Sequence, residues 1–136
     1  MTYLLDTAMV SEWTKSRPDP GVVRWLDEVD EDRTYLSVVT IAELRHGVER
    51  LTAGRRRVAL ESWLDGELPD RFDGRLLPVE WDVANAWGRL AHRGRPVDAM
   101  DALIAATAEC HELEVVTRNV SDFEPTGVPV VNPWTG

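Results

Sequence analysis

Apolar residues in this chain alternate between two textures. Short unbroken runs occur at Tyr3-Leu4-Leu5, within residues 34–38 (Thr-Tyr-Leu-Ser-Val), within 75–79 (Arg-Leu-Leu-Pro-Val), at Glu114-Val115-Val116-Thr117 and within 128–131. The first three are each followed by a stretch in which apolar residues recur at steps of three and four. A run without polar alternation suits a strand buried on both faces, and a helical period between such runs suits crossover helices. The expected architecture is α/β, with three layers (α/β/α) around a mostly parallel sheet of four to five strands.

The periodic segments predict a helix from Thr7 to Trp13 and a second that opens at Pro20, a residue suited to a first helical position, and carries Val22, Val23, Trp25, Leu26 and Val29. A third runs from Val39 to Leu51, with Ile41, Leu44, Val48 and Leu51 as its buried stripe and Thr40 and Glu43 spaced as a capping box. Val58 to Leu68 reads as a helix that ends before Pro69, and Val83, Trp87 and Leu90 as one that stops near Gly94 and Pro96. The alanine-rich segment Ala102 to Cys110 has high helix propensity and a smooth surface that can approach a sheet closely.

A length of 136 residues suits one domain spanning 1–136. No apolar run approaches the roughly 20 residues of a membrane span, and nothing resembles a signal peptide, so a soluble cytoplasmic protein without a membrane partner is expected. Cys110 is the only cysteine and reads as a small core residue. The net charge of −9 argues against coating nucleic acid through a general positive field, but not against cutting it, because a metal-dependent site itself needs gathered carboxylates. Lys15 is the only lysine. The one basic cluster, Arg45, His46, Arg50, Arg55, Arg56 and Arg57, reads as a solvated helix face or as a surface that steers an anionic partner.

Several acids stand where an α/β sheet places its ligands, beyond the carboxyl ends of strands. Asp6 follows the first strand directly, and can either cap the next helix or hold a cation. Glu43 lies off the buried stripe of its helix, one turn before Gly47, and reads as a site acid or a solvated charge. Asp98 and Asp101 sit one turn apart at a helix start, where they complement the dipole or bind metal. Asn119 and Asp122 follow the fourth strand. Oxygen-only ligands favour Mg²⁺ or Mn²⁺ over Zn²⁺, and His46, His92 and His111 do not fall at metal-ligand spacing.

Taken in order, Leu4-Leu5-Asp6-Thr7 with Ser11-Glu12, then Ser37 to Leu44 with Gly47, Asp101 to Ala108, Thr117-Arg118-Asn119 with Asp122-Phe123, and Asn132-Pro133-Trp134 resemble a PIN-domain ribonuclease of the VapC toxin family, near its FitB-like branch. The resemblance implies that Asp6, Glu43 and Asp101 are the core catalytic and metal-binding acids. It places the family's fourth acidic position on Asn119, with Asp122 as a substitute. Thr7 and Ser11 match hydroxyl residues that line the pocket or orient Asp6, and Asp98 falls outside the core positions with at most a supporting role. One departure is Ala8, where the family usually has Asn.

The implied activity is Mg²⁺- or Mn²⁺-dependent hydrolysis of RNA phosphodiesters to 5′-phosphate and 3′-hydroxyl products, as the toxin of a toxin–antitoxin pair. The implied partners are RNA, a VapB-like antitoxin and a second copy of the chain. Ala8 and Asn119 motivate the alternative of an inactive RNA- or partner-binding module with the same fold. A phospho-receiver needs paired acids after the first strand and a late lysine, and neither is present.

Overall fold

The structure, a computed structural model, describes residues 1–90 and 92–135. Five strands, β1 (Tyr3–Leu5), β2 (Thr34–Ser37), β3 (Leu76–Leu77), β4 (Glu114–Val116) and β5 (Val130–Val131), form one sheet in the order β3-β2-β1-β4-β5. Every pairing is parallel, with Leu4 opposite both Tyr35 and Val115, and Leu36 opposite Leu76. The helices are α1 (Thr7–Ser11), α2 (Pro20–Glu28), α3 (Val38–Glu49), α4 (Arg55–Ser62), α5 (Leu68–Arg71), α6 (Trp81–Leu90), α7 (Ala99–His111) and α8 (Val120–Phe123).

The three-layer arrangement follows from the pleat, since neighbouring strand residues point to opposite faces. Leu4 and Val115 join Val83, Leu90 and Ile104 in one core, whereas their neighbours Leu5 and Val116 join Met9, Val22, Leu64 and Phe72 in another. The first core lies under α6 and α7, and the second under α1, α2, α4 and α5. Both faces of β1 and β4 are therefore buried, which is why those strands lack polar alternation. The run Ala105-Ala106 is fully buried, as a smooth helix laid close to a sheet requires.

Local differences from the sequence expectation have identifiable causes. Helix α3 begins at Val38, because the Ser37 side chain accepts the Val39 amide at 3.0 Å and caps it. Thr40 and Glu43 therefore form no capping box, and Thr40 is fully buried. Beyond α4 the chain does not stop before Pro69. A π turn over Trp63–Glu67 carries it into α5, where Pro69 stands in the first turn, a position that tolerates the missing N–H. Helix α1 tightens after Ser11 into a 3₁₀ turn, Glu12–Thr14, and the third and fifth strands pair over two residues each.

The end of the chain is clasped to the start of α2. Asp19 caps α2 through Gly21 and Val22, and the same carboxylate accepts the Thr135 amide at 3.2 Å and the Thr135 hydroxyl at 2.8 Å. Trp134 packs against the core beneath. A Cβ on Gly21 would stand 2.2 Å from the Pro133 carbonyl oxygen, so only glycine admits the tail here. Gly21→Ala is expected to destabilise the protein by about 1–3 kcal/mol through overpacking, read as a lower urea midpoint at unchanged m. An unchanged midpoint would show that the tail does not rest on α2.

Candidate active site

The strand order reverses at β1, from which the chain runs outward through β2 and β3 before returning to β4 on the other side. The crevice beyond the carboxyl ends of β1 and β4 is therefore the topological switch point, where such sheets bind ligands. Asp6 leaves β1 at this place, with its backbone amide bonded to the Val116 carbonyl of β4 at 3.1 Å. Both readings of Asp6 hold at once. Its Oδ1 accepts the Met9 amide at 2.8 Å and caps α1, yet the carboxyl is buried without an ion pair among the described residues. Burial pushes the Asp6 carboxyl up from its ordinary value. Hydrogen bonds from the Thr117 hydroxyl and the Met9 and Ala8 amides offset part of that rise, and the Glu43 charge adds to it.

Glu43 reaches the same crevice from α3. Thr7 donates its hydroxyl to Glu43 Oε1 at 2.6 Å, and the fully buried Thr40 hydroxyl lies 3.2 Å from Thr7 Oγ1. Thr7 thus orients Glu43 rather than Asp6. Nor does Ser11 orient Asp6, because its hydroxyl is committed to the Thr7 carbonyl at 2.8 Å.

On the far side, Asp98 caps α7 by accepting the Met100 amide at 3.0 Å and the Asp101 amide at 3.3 Å. Its carboxylate is turned back onto the helix end, so the two acids do not act as an equivalent pair. Asp101 is freed from capping and half-buried. Burial first, and then the negative charges of Asp98, Glu43, Asp122 and Asp6, push its carboxyl up to about 6. All four of the other acids thus lie within electrostatic reach of Asp101. Asp122 shares a small cavity with Asp98 and Asp101, while Asn119 is exposed and its side chain makes no capping bond.

Two residues at the site lie within the sequence motifs without a role assigned to them there. Thr117, fully buried at the end of β4, bonds Asp6 and also accepts the Asn119 amide at 2.9 Å. Thr40 backs Thr7. A hydroxyl residue directly after a strand, or facing one from the next helix, was the available signal for both.

The donor set is oxygen-only, acidic and free of ion pairs among the described residues, which suits a hard divalent cation. Among the described residues, no three His, Cys, Asp or Glu side chains already ring a metal position. The acids lie within electrostatic reach of Asp101 without closing around one position. Beside them a cavity of about 330 Å³ opens between α1, α3 and α4, with Thr7, Ser11 and Glu43 at its polar end.

The sequence pattern of the PIN domain matches residues 3–125. The chain belongs to the PIN-domain family. Among relatives of this PIN domain, a VapC ribonuclease, Y4jK, of Sinorhizobium fredii is 38% identical over 135 residues, covering 96% of each chain. Toxin FitB of Neisseria gonorrhoeae is also 38% identical, over 96% of this chain and 97% of the relative. The crystal structure of FitAcB from Neisseria gonorrhoeae contains a chain that superposes with a TM-score of 0.92 at 37% identity, covering 99% of this PIN domain and all of that chain. The five-stranded parallel sheet and its two helical layers are the PIN fold.

Proposed function

We propose that this PIN domain is a divalent-metal-dependent endoribonuclease and the toxin of a toxin–antitoxin pair. The observation that carries the proposal is the gathering of acids at the switch point: Asp6 at the end of β1, Glu43 held there by Thr7 at 2.6 Å, and Asp101 in a cavity shared with Asp98 and Asp122, where burial and the neighbouring charges push its carboxyl up to about 6. A structural acid would be stabilised by a basic partner. Asp101 is in no ion pair among the described residues, and the guanidinium that lines its cavity, Arg95, is bonded to the Ser121 carbonyl instead, so the gathered negative charge is left for a cation to resolve.

Asp6, Glu43 and Asp101 would hold Mg²⁺ or Mn²⁺, which when bound supplies an activated water and neutralises the phosphate under attack. The rest of the chemistry belongs to the side chains around them. Thr7 fixes the Glu43 carboxylate through its 2.6 Å bond. The Met9 amide holds Asp6 at 2.8 Å, and the Thr117 hydroxyl and Ala8 amide favour its ionised form. Asp122, exposed on α8 and lining the same cavity as Asp101, would accept a proton from the attacking water. The bond from Met9 to Asp6 does not depend on the side chain at position 8.

The names of the relatives, a VapC ribonuclease and toxin FitB, support the same reading. Solved complexes of FitA with FitB support an antitoxin partner, and we extend the proposal to a homodimer working in the cytoplasm. Among the described residues, no helix is long and apolar enough to cross a membrane. The direct test is incubation of the purified chain with total RNA in Mg²⁺ or Mn²⁺. Metal-dependent cleavage that stops on chelation is expected, and intact RNA under both metals would refute the proposal.

A further inference from the structure

The cavity beside Glu43 is more than an extension of the acid cluster. From Thr7 and Glu43 it continues over an apolar floor that includes Leu44, Leu60 and Trp63, and Lys15 and Arg56 stand on its walls. These cations are conspicuous in a chain of net charge −9 with one lysine. The basic cluster of residues 45–57 divides accordingly. Arg45 is paired with Asp65, while Arg57 is held by Glu49 at 2.9 Å, Glu61 at 2.8 Å and the Leu51 carbonyl at 3.0 Å. Those two fasten α3 to its neighbours. Arg56 is exposed and, among the described residues, in no ion pair. Lys15 pairs with Glu12, a carboxylate only 3% exposed that also accepts the Asp19 amide at 2.9 Å. That anchor fixes the ammonium at the groove, and two of its three donors remain for a ligand.

Two independent features mark this groove. Gly47 lies one turn beyond Glu43 in the interior of α3, where glycine weakens a helix. A Cβ there would meet nothing within 4 Å, so packing does not require the glycine. Trp63 begins the π turn, a distortion found frequently at functional sites. At about 330 Å³ the cavity lies at the small end of ligand pockets, roughly 300 to 1,000 Å³, and has room for a nucleotide but not a duplex.

We infer that this groove binds the single-stranded RNA segment next to the scissile phosphate, with Lys15 and Arg56 on a backbone phosphate and an unstacked base on the apolar floor at Trp63. The inference rests on the nuclease reading above and names where its substrate lies. Cations beside an aromatic floor form the combination that single-stranded nucleic acid requires.

The test uses the full chain carrying Asp101→Asn to prevent cleavage, with a short fluorescein-labelled oligouridine as probe and fluorescence anisotropy read across about 50 to 200 mM salt. Adding Lys15→Met and Arg56→Met is expected to weaken binding about tenfold and to lower the salt slope by about 0.7 for each phosphate that is no longer neutralised. Arg56→Met alone should weaken binding and lower the slope by less than the double variant does. Its side chain is outside any described ion pair, so a folding defect in Lys15→Met does not decide the result. Gly47→Leu should weaken binding at an unchanged salt slope, with the melting temperature confirming the fold. Parent-like affinity and slope in Arg56→Met and Gly47→Leu would overturn the inference. If the unmutated chain then still cleaves RNA with metal, the nuclease reading survives without it. If that chain cleaves nothing, both fall.

Discussion

Asp101→Asn is expected to reduce RNA cleavage by roughly a thousandfold or more while leaving the fold intact, a loss of about 4 kcal/mol of transition-state stabilisation. The substitution preserves shape and removes charge. Asp101 does not cap α7, since Asp98 does that, so no helix end is left bare. Its carboxyl is pushed up by burial and by surrounding acids, so neutralising it relieves repulsion, and the metal-free protein should melt no lower than its parent. Asp6→Asn is the companion. Asparagine caps as well as aspartate, so the bond to the Met9 amide can persist while the charge is lost. Asp98→Asn is the control: its carboxylate serves the helix end, and asparagine should keep activity within a few-fold of the parent. Single-turnover cleavage rates and thermal melts on the three proteins check this directly. A parent-like rate in Asp101→Asn would remove Asp101 from the chemistry.

The acids behind that expectation were legible in the sequence, because carboxyls remote along the chain must meet if each follows a parallel strand or starts a helix at the same sheet edge. That rule brings Asp6 and Asp101 to one sheet edge, with Glu43 reaching it from one helix beyond the second strand; the choice of these three as the core set comes from the resemblance to the PIN family and not from spacing. The sheet was legible because buried parallel strands show as unbroken apolar runs. The failures are local and have local causes. Thr40 and Glu43 have the spacing of a capping box, but Ser37 stands nearer the strand end and caps α3 first, which frees Thr40 to back Thr7. Pro69 looks like a helix stop until the π turn at Trp63–Glu67 shifts the chain so that it falls in a first turn. Arg56 and Arg57 are neighbours of identical type, and only the positions of Glu49 and Glu61 separate the structural one from the groove one. Thr117 went unassigned because a buried threonine and a threonine that donates to a carboxylate look the same in one dimension.

Mg²⁺ or Mn²⁺ at a hundred times its dissociation constant should stabilise the protein by about 2.7 kcal/mol, which corresponds to a melting shift of roughly 10 °C for a chain of this size. The shift should depend on pH, and its sign follows from Asp101. The Asp101 carboxyl is raised in the folded protein from an ordinary 3.8 to about 6, so between those values the native state binds more protons than the unfolded chain. Stability linked to this group is fully present below 3.8 and is lost as pH rises through about 6. The upward displacement of Asp6 acts in the same direction. Metal binds the ionised carboxyls, so its benefit runs the opposite way, small near pH 5 and large near pH 8, about the interval that brackets the raised Asp101 carboxyl. Melts in chelator and in metal across that interval should therefore diverge with increasing pH. Because the net charge of −9 also makes the whole surface more repulsive as pH rises, the decisive comparison is Asp101→Asn, in which the metal-dependent divergence should collapse while the general slope remains. Parallel curves in parent and variant would mean that the acids gathered around Asp101 are neighbours without being a metal site.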